Sequence, residues 1–318
     1  MYELMIQNQG TIYLPMVEDG IVWETQRRGS PGKLSFSVVK DGRLNIQEGN
    51  PVSLRKDGVD VFYGFLFSKQ RSKDGLIQVT AYDQLRYLKN KDTVRDVGRK
   101  ASELLQMLAA DFRLQCGTVE DSGYVIESIV EEDQSLFDMI LNAVDETVQA
   151  TGNLFVLYDD FGKICLRNIK NMKRDFLLDC DVTEDIDYTS SIDKQTYNKI
   201  KLTYENEEKG EREVFVAQDG SHINLWGVLQ YHETLKSEIG AAEKANVLLR
   251  LYNQKTRCLT VKNVLGDVSV RAGTLVPVHL NLGDMIAKTY MLVDRARHTF
   301  KENQHLMELI LIGGEFIA

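Results

Sequence analysis

Two acidic clusters carry the residue types that hold a cation. Asp179, Asp181 and Thr183 alternate as the first three ligands of a calcium loop do, but Glu184 stands where that loop needs a glycine for its sharp turn. Asp159-Asp160 beside Phe161-Gly162 offers two carboxylates and a glycine, and a tight hairpin turn uses the same residues. The turn is the expectation. The five histidines, His222, His232, His279, His298 and His305, lack the close spacing of metal ligands, and each is expected at the surface or half-buried. Cys116, Cys165, Cys180 and Cys258 form no CxxC pair, which predicts reduced, partly buried thiols and neither a zinc ribbon nor a disulfide framework. GxSxG, GxxxxGK[ST], HExxH and GxGxxG are all absent. A carboxylate pair for glycoside cleavage cannot be picked out of 47 acidic residues without a fold. No catalytic, cofactor or metal residue is therefore assigned.

The elements that would position such groups belong to a chain of 318 residues, long enough for two or three domains; three are expected. Its 43% hydrophobic and 27% charged residues are those of an ordinary globular protein. No apolar run approaches the roughly 20 residues that span a bilayer, so no membrane insertion is expected. Met1 to Ile6 reads as a first strand and not as a signal peptide, which predicts folding in a cytoplasm. A net charge of −9 argues against a broadly basic nucleic-acid-gripping face. It leaves room for an acidic surface past which DNA slides.

The pivot of the chain is Gln78 to Thr93. Before it, Asp19-Gly20, Asp41-Gly42, Asp57-Gly58 and Asp74-Gly75 punctuate runs with strand character, such as Leu34 to Val38, Val52 to Leu54 and Val59 to Phe67. This predicts a meander of short strands, with Trp23 in its core. Arg86 to Lys100 carries Arg86, Lys89, Lys91, Arg95, Arg99 and Lys100 and is expected as a solvated basic linker. Helices follow. Ala101, Leu104, Leu105, Leu108, Ala109 and Phe112 share one face of a first helix. Ser135 and Asp138 resemble a capping box ahead of a second stripe, Leu136, Ile140, Val144 and Val148, that stops before Gly152. A hairpin, Leu154 to Tyr158 and Lys163 to Asn168, completes a small α+β unit. Beyond an acidic connector, strands return at Asn198 to Tyr204 and Glu213 to Gln218, and again from Leu275 to Ile312. A helix with Ile239, Ala242, Ala245, Leu249 and Tyr252 on one face interrupts them.

There is also an internal echo. Gly49 to Leu54, Val61 to Gln70 and Leu76 to Ala81 match Gly273 to Val278, Thr289 to His298 and Leu306 to Ile310 as a Gly-led strand, a longer strand, a polar turn and a closing strand. Chance would produce such an echo often in β proteins.

The phrase Ala81-Tyr82-Asp83-Gln84-Leu85-Arg86-Tyr87-Leu88-Lys89-Asn90-Lys91-Asp92-Thr93 carries a resemblance, together with Glu132-Asp133-Gln134-Ser135-Leu136-Phe137-Asp138 and Leu157-Tyr158-Asp159-Asp160-Phe161-Gly162. Over nearly its whole length the chain resembles the baseplate hub proteins of contractile phage tails, of defective prophages of Gram-positive bacteria and of R-type bacteriocins. The resemblance implies a mainly β fold with α+β content: two tail-tube-like β-barrel domains flanking a small α+β domain. The expected boundaries are 1–90, 91–180 and 181–318, with a helix inserted in the second barrel at about 235–255. It implies a homotrimeric ring adapting a hexameric tail tube protein to a trimeric central spike protein. Baseplate wedge or LysM-type tail proteins would be further partners, and DNA would pass through the lumen without specific binding. The implied location is the bacterial host cytoplasm during assembly and the particle's tail baseplate afterwards. Packing and interface geometry would then be the whole mechanism, with no enzymatic activity. The alternative is a tail-associated cell-wall (peptidoglycan) hydrolase, for which the chain is expected to leave no separate domain. A DNA- or carbohydrate-binding module is the third class. Leu225, Trp226 and Tyr231, in an apolar run beside a loop, and Lys244 and Arg250, on the polar face of the third helix, are the expected partner interface. A buried strand is the competing reading of Leu225 to Tyr231.

Overall fold

The structure is a computed structural model that describes residues 1–71, 73–179, 185–193, 195–206, 211–235, 238–283, 286–302 and 304–313. Asp181 and Thr183, and with them the calcium-loop alternation, lie outside the described residues, as does Cys180.

The N-terminal strands are β1 (Tyr2–Asn8), β2 (Thr11–Tyr13), β3 (Val17–Gln26), β4 (Lys33–Val39), β5 (Pro51–Lys56), β6 (Val59–Arg71) and β7 (Leu76–Tyr82), paired antiparallel in the order β2-β1-β5-β6-β7-β4-β3. Period-two alternation points Leu34, Phe36 and Val38 of β4 and Ile77, Val79 and Ala81 of β7 to one side. There they close a core with Ile6, Ile21, Trp23, Val52 and Leu54. Asp57-Gly58, both at positive φ, makes the tight turn from β5 to β6. Two of the Asp-Gly signals mean something else. Asp41-Gly42 lies between β4 and β5, which are not neighbours, and Asp19-Gly20 falls at a bulge inside β3.

The middle of the chain holds β8 (Lys91–Lys100), α1 (Ala101–Asp111), β9 (Cys116–Val119), β10 (Val125–Ser135), α2 (Leu136–Thr151), β11 (Phe155–Asp159) and β12 (Ile164–Asn168). The basic segment is not a linker. Gln84–Lys89 winds into a 3-10 turn that buries Leu85 and Leu88, and Lys91–Lys100 is a strand paired with β10. Its charges face water while Val94 enters the core with Leu105, Ile126 and Ile140. Ser135 accepts from the Asp138 amide at 3.1 Å, and Gly152 at φ 76° ends α2.

The last strands are β13 (Asp185–Ser191), β14 (Lys199–Asn206), β15 (Glu211–Gln218), β16 (Gln230–Leu235), β17 (Thr256–Leu265), β18 (Leu275–Asn281), β19 (Ile286–Lys301) and β20 (Gln304–Gly313), with α3 (Gly220–Trp226) and α4 (Ala241–Tyr252) among them. What interrupts the C-terminal strands is more than a helix. β14, β15 and β16 make their own sheet, and α4 packs on it through Ala245 and Leu248 against Ile200 and Leu202. The helix is also phased differently from the expectation. Ala241, Ala245, Val247 and Leu248 are buried, whereas Ile239 precedes the helix and is 80% exposed. Once Ile239 falls outside the helix, the stripe turns away from Ala242.

β13-β17-β20-β19-β18 repeats β3-β4-β7-β6-β5 strand for strand, antiparallel throughout. The match holds at the level of single residues. Gly49 and Gly273 donate to the carbonyls of Leu66 and Val293, and those two residues donate back to Asn50 and Thr274. Each long strand is bulged just after that point, between Leu66 and Ser68 and between Val293 and Arg295. Leu66 thus corresponds to Val293, one residue out of step with the sequence echo on the long strand. The two units are joined edge to edge by β3 and β19, giving one sheet of twelve strands among the described residues.

Candidate assembly site

The joint between the two units is the place where residues far apart in sequence converge. Ile21 to Gln26 of β3 pair with Phe300 to Arg295 of β19, and Arg27 N donates to Asp294 O at 2.9 Å. On one face Arg297 meets Glu24 at 3.0 Å and Arg295 meets Gln26 at 3.2 Å. On the other, Trp23 lies against His298 with ring centroids 4.7 Å apart, beside buried Ile21 and Phe300. Gly20 sits at φ 90°, and a Cβ there would stand 2.6 Å from the Phe300 carbonyl oxygen. Close approach of β3 to β19 therefore requires glycine at this position.

Two histidines expected near the surface are buried here. The hairpin from β19 to β20 places Phe300 opposite His305, and His298 Nδ1 meets His305 Nε2 at 2.9 Å. His298 Nε2 is 2.8 Å from the Val270 carbonyl oxygen, so Nε2 carries the proton and donates. Nδ1 then accepts from His305. Burial holds both rings neutral, lowering His298 to about 3 and His305 to about 4, with each ring's neighbour or a nearby lysine adding to the effect.

Arg271 bridges the two units and the middle of the chain. Its guanidinium lies 4.6 Å from the Tyr158 ring centroid and 5.7 Å from that of Trp23, and Nη1 donates to the Asp159 carbonyl oxygen at 2.6 Å. Asp83 accepts from the Gly32 and Leu85 amides at 2.8 and 3.0 Å, and Asp159 accepts from the Gly162 amide at 2.8 Å. Burial first, and then mutual repulsion, pushes Asp83 well above the usual carboxylate range; burial pushes Asp159 up to about 6 against the pull of Arg271. Two acids with raised pKa beside an arginine have the chemistry of a general-acid site. Their exposures of 3% and 4% leave a substrate no access. They brace the junction instead.

A second contact ties the N-terminal unit to α2. Arg28 forks onto Asp145 of α2 with both arms at 2.6 Å. That pair lines a cavity of about 540 Å³ bounded by Tyr252, Cys258, Leu292 and Ile312, between α2, α4 and the C-terminal strands.

The residues expected at a partner interface all lie on the inserted unit, and they fall into three places. Leu225 (72% exposed) and Trp226 end α3, where Trp226 stacks on His222 at 4.0 Å. Tyr231 lies in β16 among Tyr197 and Tyr252, and its hydroxyl donates to Glu233 at 3.0 Å. Lys244 reaches the same carboxylate at 2.8 Å, while Arg250 is exposed on α4. The stretch Leu225 to Tyr231 is a helix end, a turn and a strand start. Sequence reasoning missed Glu233, which ties Tyr231 to Lys244, because only the pairing of β16 beside α4 reveals it.

Residues 21–312 match a protein family described as YQBQ-like. The chain is 29% identical to the phage-like element PBSX protein XkdQ of Bacillus subtilis strain 168, over 95% of this chain and 94% of that protein. The fold is similar to that of the 43 kDa tail protein of prophage MuSo2 from Shewanella oneidensis, at 14% identity and a TM-score of 0.72, over 99% of this chain and all of the other. It is also similar, at 9% identity and a TM-score of 0.61, to the Escherichia coli c3393 protein, over 99% of this chain and 78% of that one. The c3393 protein is a type VI secretion component with structural similarity to the T4 bacteriophage tail proteins gp27 and gp5.

Proposed function

Since the chain belongs to the YqbQ-like family, we propose that it is a structural protein of a phage or phage-like tail: the baseplate hub that adapts the tail tube to the central spike. The observation that carries this reading is the repeat. One chain holds two copies of the same five-strand unit, joined edge to edge, so a ring of chains presents twice as many units as chains. Three chains then meet a sixfold tube on one side and a threefold spike on the other.

The chain connectivity of each unit supports the barrel reading. β2 sits at one end of the N-terminal strand path and leads through Leu14-Pro15-Met16 into β3 at the other end. In the second unit, Lys173 and Leu178 bridge the outer edge of β18, and the chain goes on to β13 at the opposite end of that path. On this reading 1–90 and 181–318 are the two tube-like domains and 91–180 the α+β domain that braces them. LysM-type or wedge proteins bind from outside, and DNA passes the lumen without sequence recognition.

Light scattering on the purified chain, with a muropeptide-release assay on cell walls, tests the proposal. A trimer, or a monomer that trimerises with its spike, and no muropeptide release is expected. A stable monomer that cleaves walls overturns the reading in favour of a tail-associated hydrolase.

A further inference from the structure

The repeat leaves two sheet edges without a partner strand, and they are the two halves of a joint the chain already makes once. β3 lies on the C-terminal half of β19, beyond the reach of β18. The equivalents of those strands are β13 and the C-terminal half of β6. β13 ends the strand path, and Phe67 to Arg71 extend past the last residue paired with β5, so both edges are open among the described residues. β13 is exposed at most of its positions.

We propose that β13 of one chain pairs antiparallel with residues 67–71 of β6 in a second copy of this chain, reproducing the β3–β19 joint between subunits. The inference rests on the ring reading above and names the contact that closes the ring. Its register follows from the internal equivalences. Val293 corresponds to Leu66, so Arg295, Ala296, Arg297 and His298 correspond to Ser68, Lys69, Gln70 and Arg71. Ile21 and Trp23 pair with Phe36 and Leu34 as Ile186 and Tyr188 pair with Val261 and Leu259, so Trp23, Glu24, Thr25 and Gln26 correspond to Tyr188, Thr189, Ser190 and Ser191. Ser191 therefore stands opposite Ser68, Ser190 opposite Lys69, Thr189 opposite Gln70 and Tyr188 opposite Arg71. The Ile192 amide donates to the Phe67 carbonyl of the neighbour, as Arg27 donates to Asp294.

Side-chain chemistry agrees with this register. Tyr188 packs toward its own unit's core as Trp23 does, which puts its ring on the same face as Arg71. An arginine over a tyrosine then replaces the tilted ring contact of His298 with Trp23. On the other face the register sets Thr189 opposite Gln70 and Ser191 opposite Ser68, pairs that place no like charges against each other. The contact is heterologous, since each chain offers both edges, and so it propagates in one direction until it closes.

The test is a cysteine pair across the joint, Gln70→Cys with Thr189→Cys, oxidised with glutathione disulfide at concentrations where light scattering reports the mass. Opposite residues of an antiparallel pair lie within disulfide reach. Glu24→Cys with Arg297→Cys, opposite each other in the existing joint, is the intrachain control. The unsubstituted chain controls for natural cysteines. Chain-to-chain linkage at least tenfold above the register-shifted pair Ser68→Cys with Thr189→Cys, running as one closed species, is expected. An oligomer with no preferential 70–189 linkage overturns the joint while leaving the ring reading intact. A chain that stays monomeric at every concentration and with its spike, and does not link, overturns both.

Discussion

Acid stability separates the two kinds of buried ionisable group at the junction. The histidines have folded pKa values below the ordinary 6.5, so their contribution is fully present above that pH. It is lost as the pH falls, at up to about 1.4 kcal/mol per unit for each ring. Asp159 runs the other way. Its folded value of about 6 lies above the ordinary 3.8, so it takes up a proton on folding. Its contribution is present at low pH and is lost as the pH rises through 6. Between pH 7 and pH 4.5 the folded carboxyl titrates over roughly 1.5 units, which adds about 2 kcal/mol to stability on acidification. Asp159→Asn removes that addition while keeping the oxygen that accepts from Gly162. Urea unfolding at pH 7 and pH 4.5, followed by Trp23 fluorescence in a Trp226→Phe background, reads the difference. The variant should lose about 2 kcal/mol more than the parent over this interval. Equal losses would refute the assignment of Asp159 as a buried acid that is neutral at low pH.

Gly20→Ala puts a methyl group against the Phe300 carbonyl and forces alanine to a φ of 90°. A loss of about 3 kcal/mol is expected in denaturant unfolding, with early loss of the Trp23 signal. Arg250→Glu should impair particle assembly and leave circular dichroism and melting of the isolated chain unchanged, since Arg250 is exposed on α4. Lys244→Glu is the less clean reversal, because it sets a second carboxylate against Glu233 and loosens β16.

The elements whose pattern is local were legible in the sequence. The α1 and α2 stripes, the Ser135 cap, the Gly152 stop and the Asp159–Gly162 hairpin each depend on residues within a few positions of one another. Failures came where a distant partner decides. Lys91 to Lys100 reads as a charged connector until β10 supplies the other strand, and Leu85 and Leu88 look isolated until α2 covers them. His298 and His305 stand seven apart in sequence, too far for their rings to touch along a helix or a single strand. They meet because the β19–β20 turn folds one onto the other. Asp83 and Arg271 carry no local signal either, since their environment is made by three separate parts of the chain.

The two copies of the unit have diverged where their roles differ. At the permanent joint the inward positions are Ile21, Trp23, His298 and Phe300, all buried. The corresponding inward positions on the open edges include Ile186, Tyr188 and Arg71, and only Tyr188 keeps an aromatic ring. An open edge lined like the permanent one would invite pairing with any exposed strand during synthesis. The polar side chains of both open edges make them poorer partners for a stray strand than the permanent joint would be. On the proposed ring, a chain that stays separate until assembly needs this asymmetry. The apolar joint holds two units together within one chain, and on the proposed ring the polar edges are the ones left for a second chain.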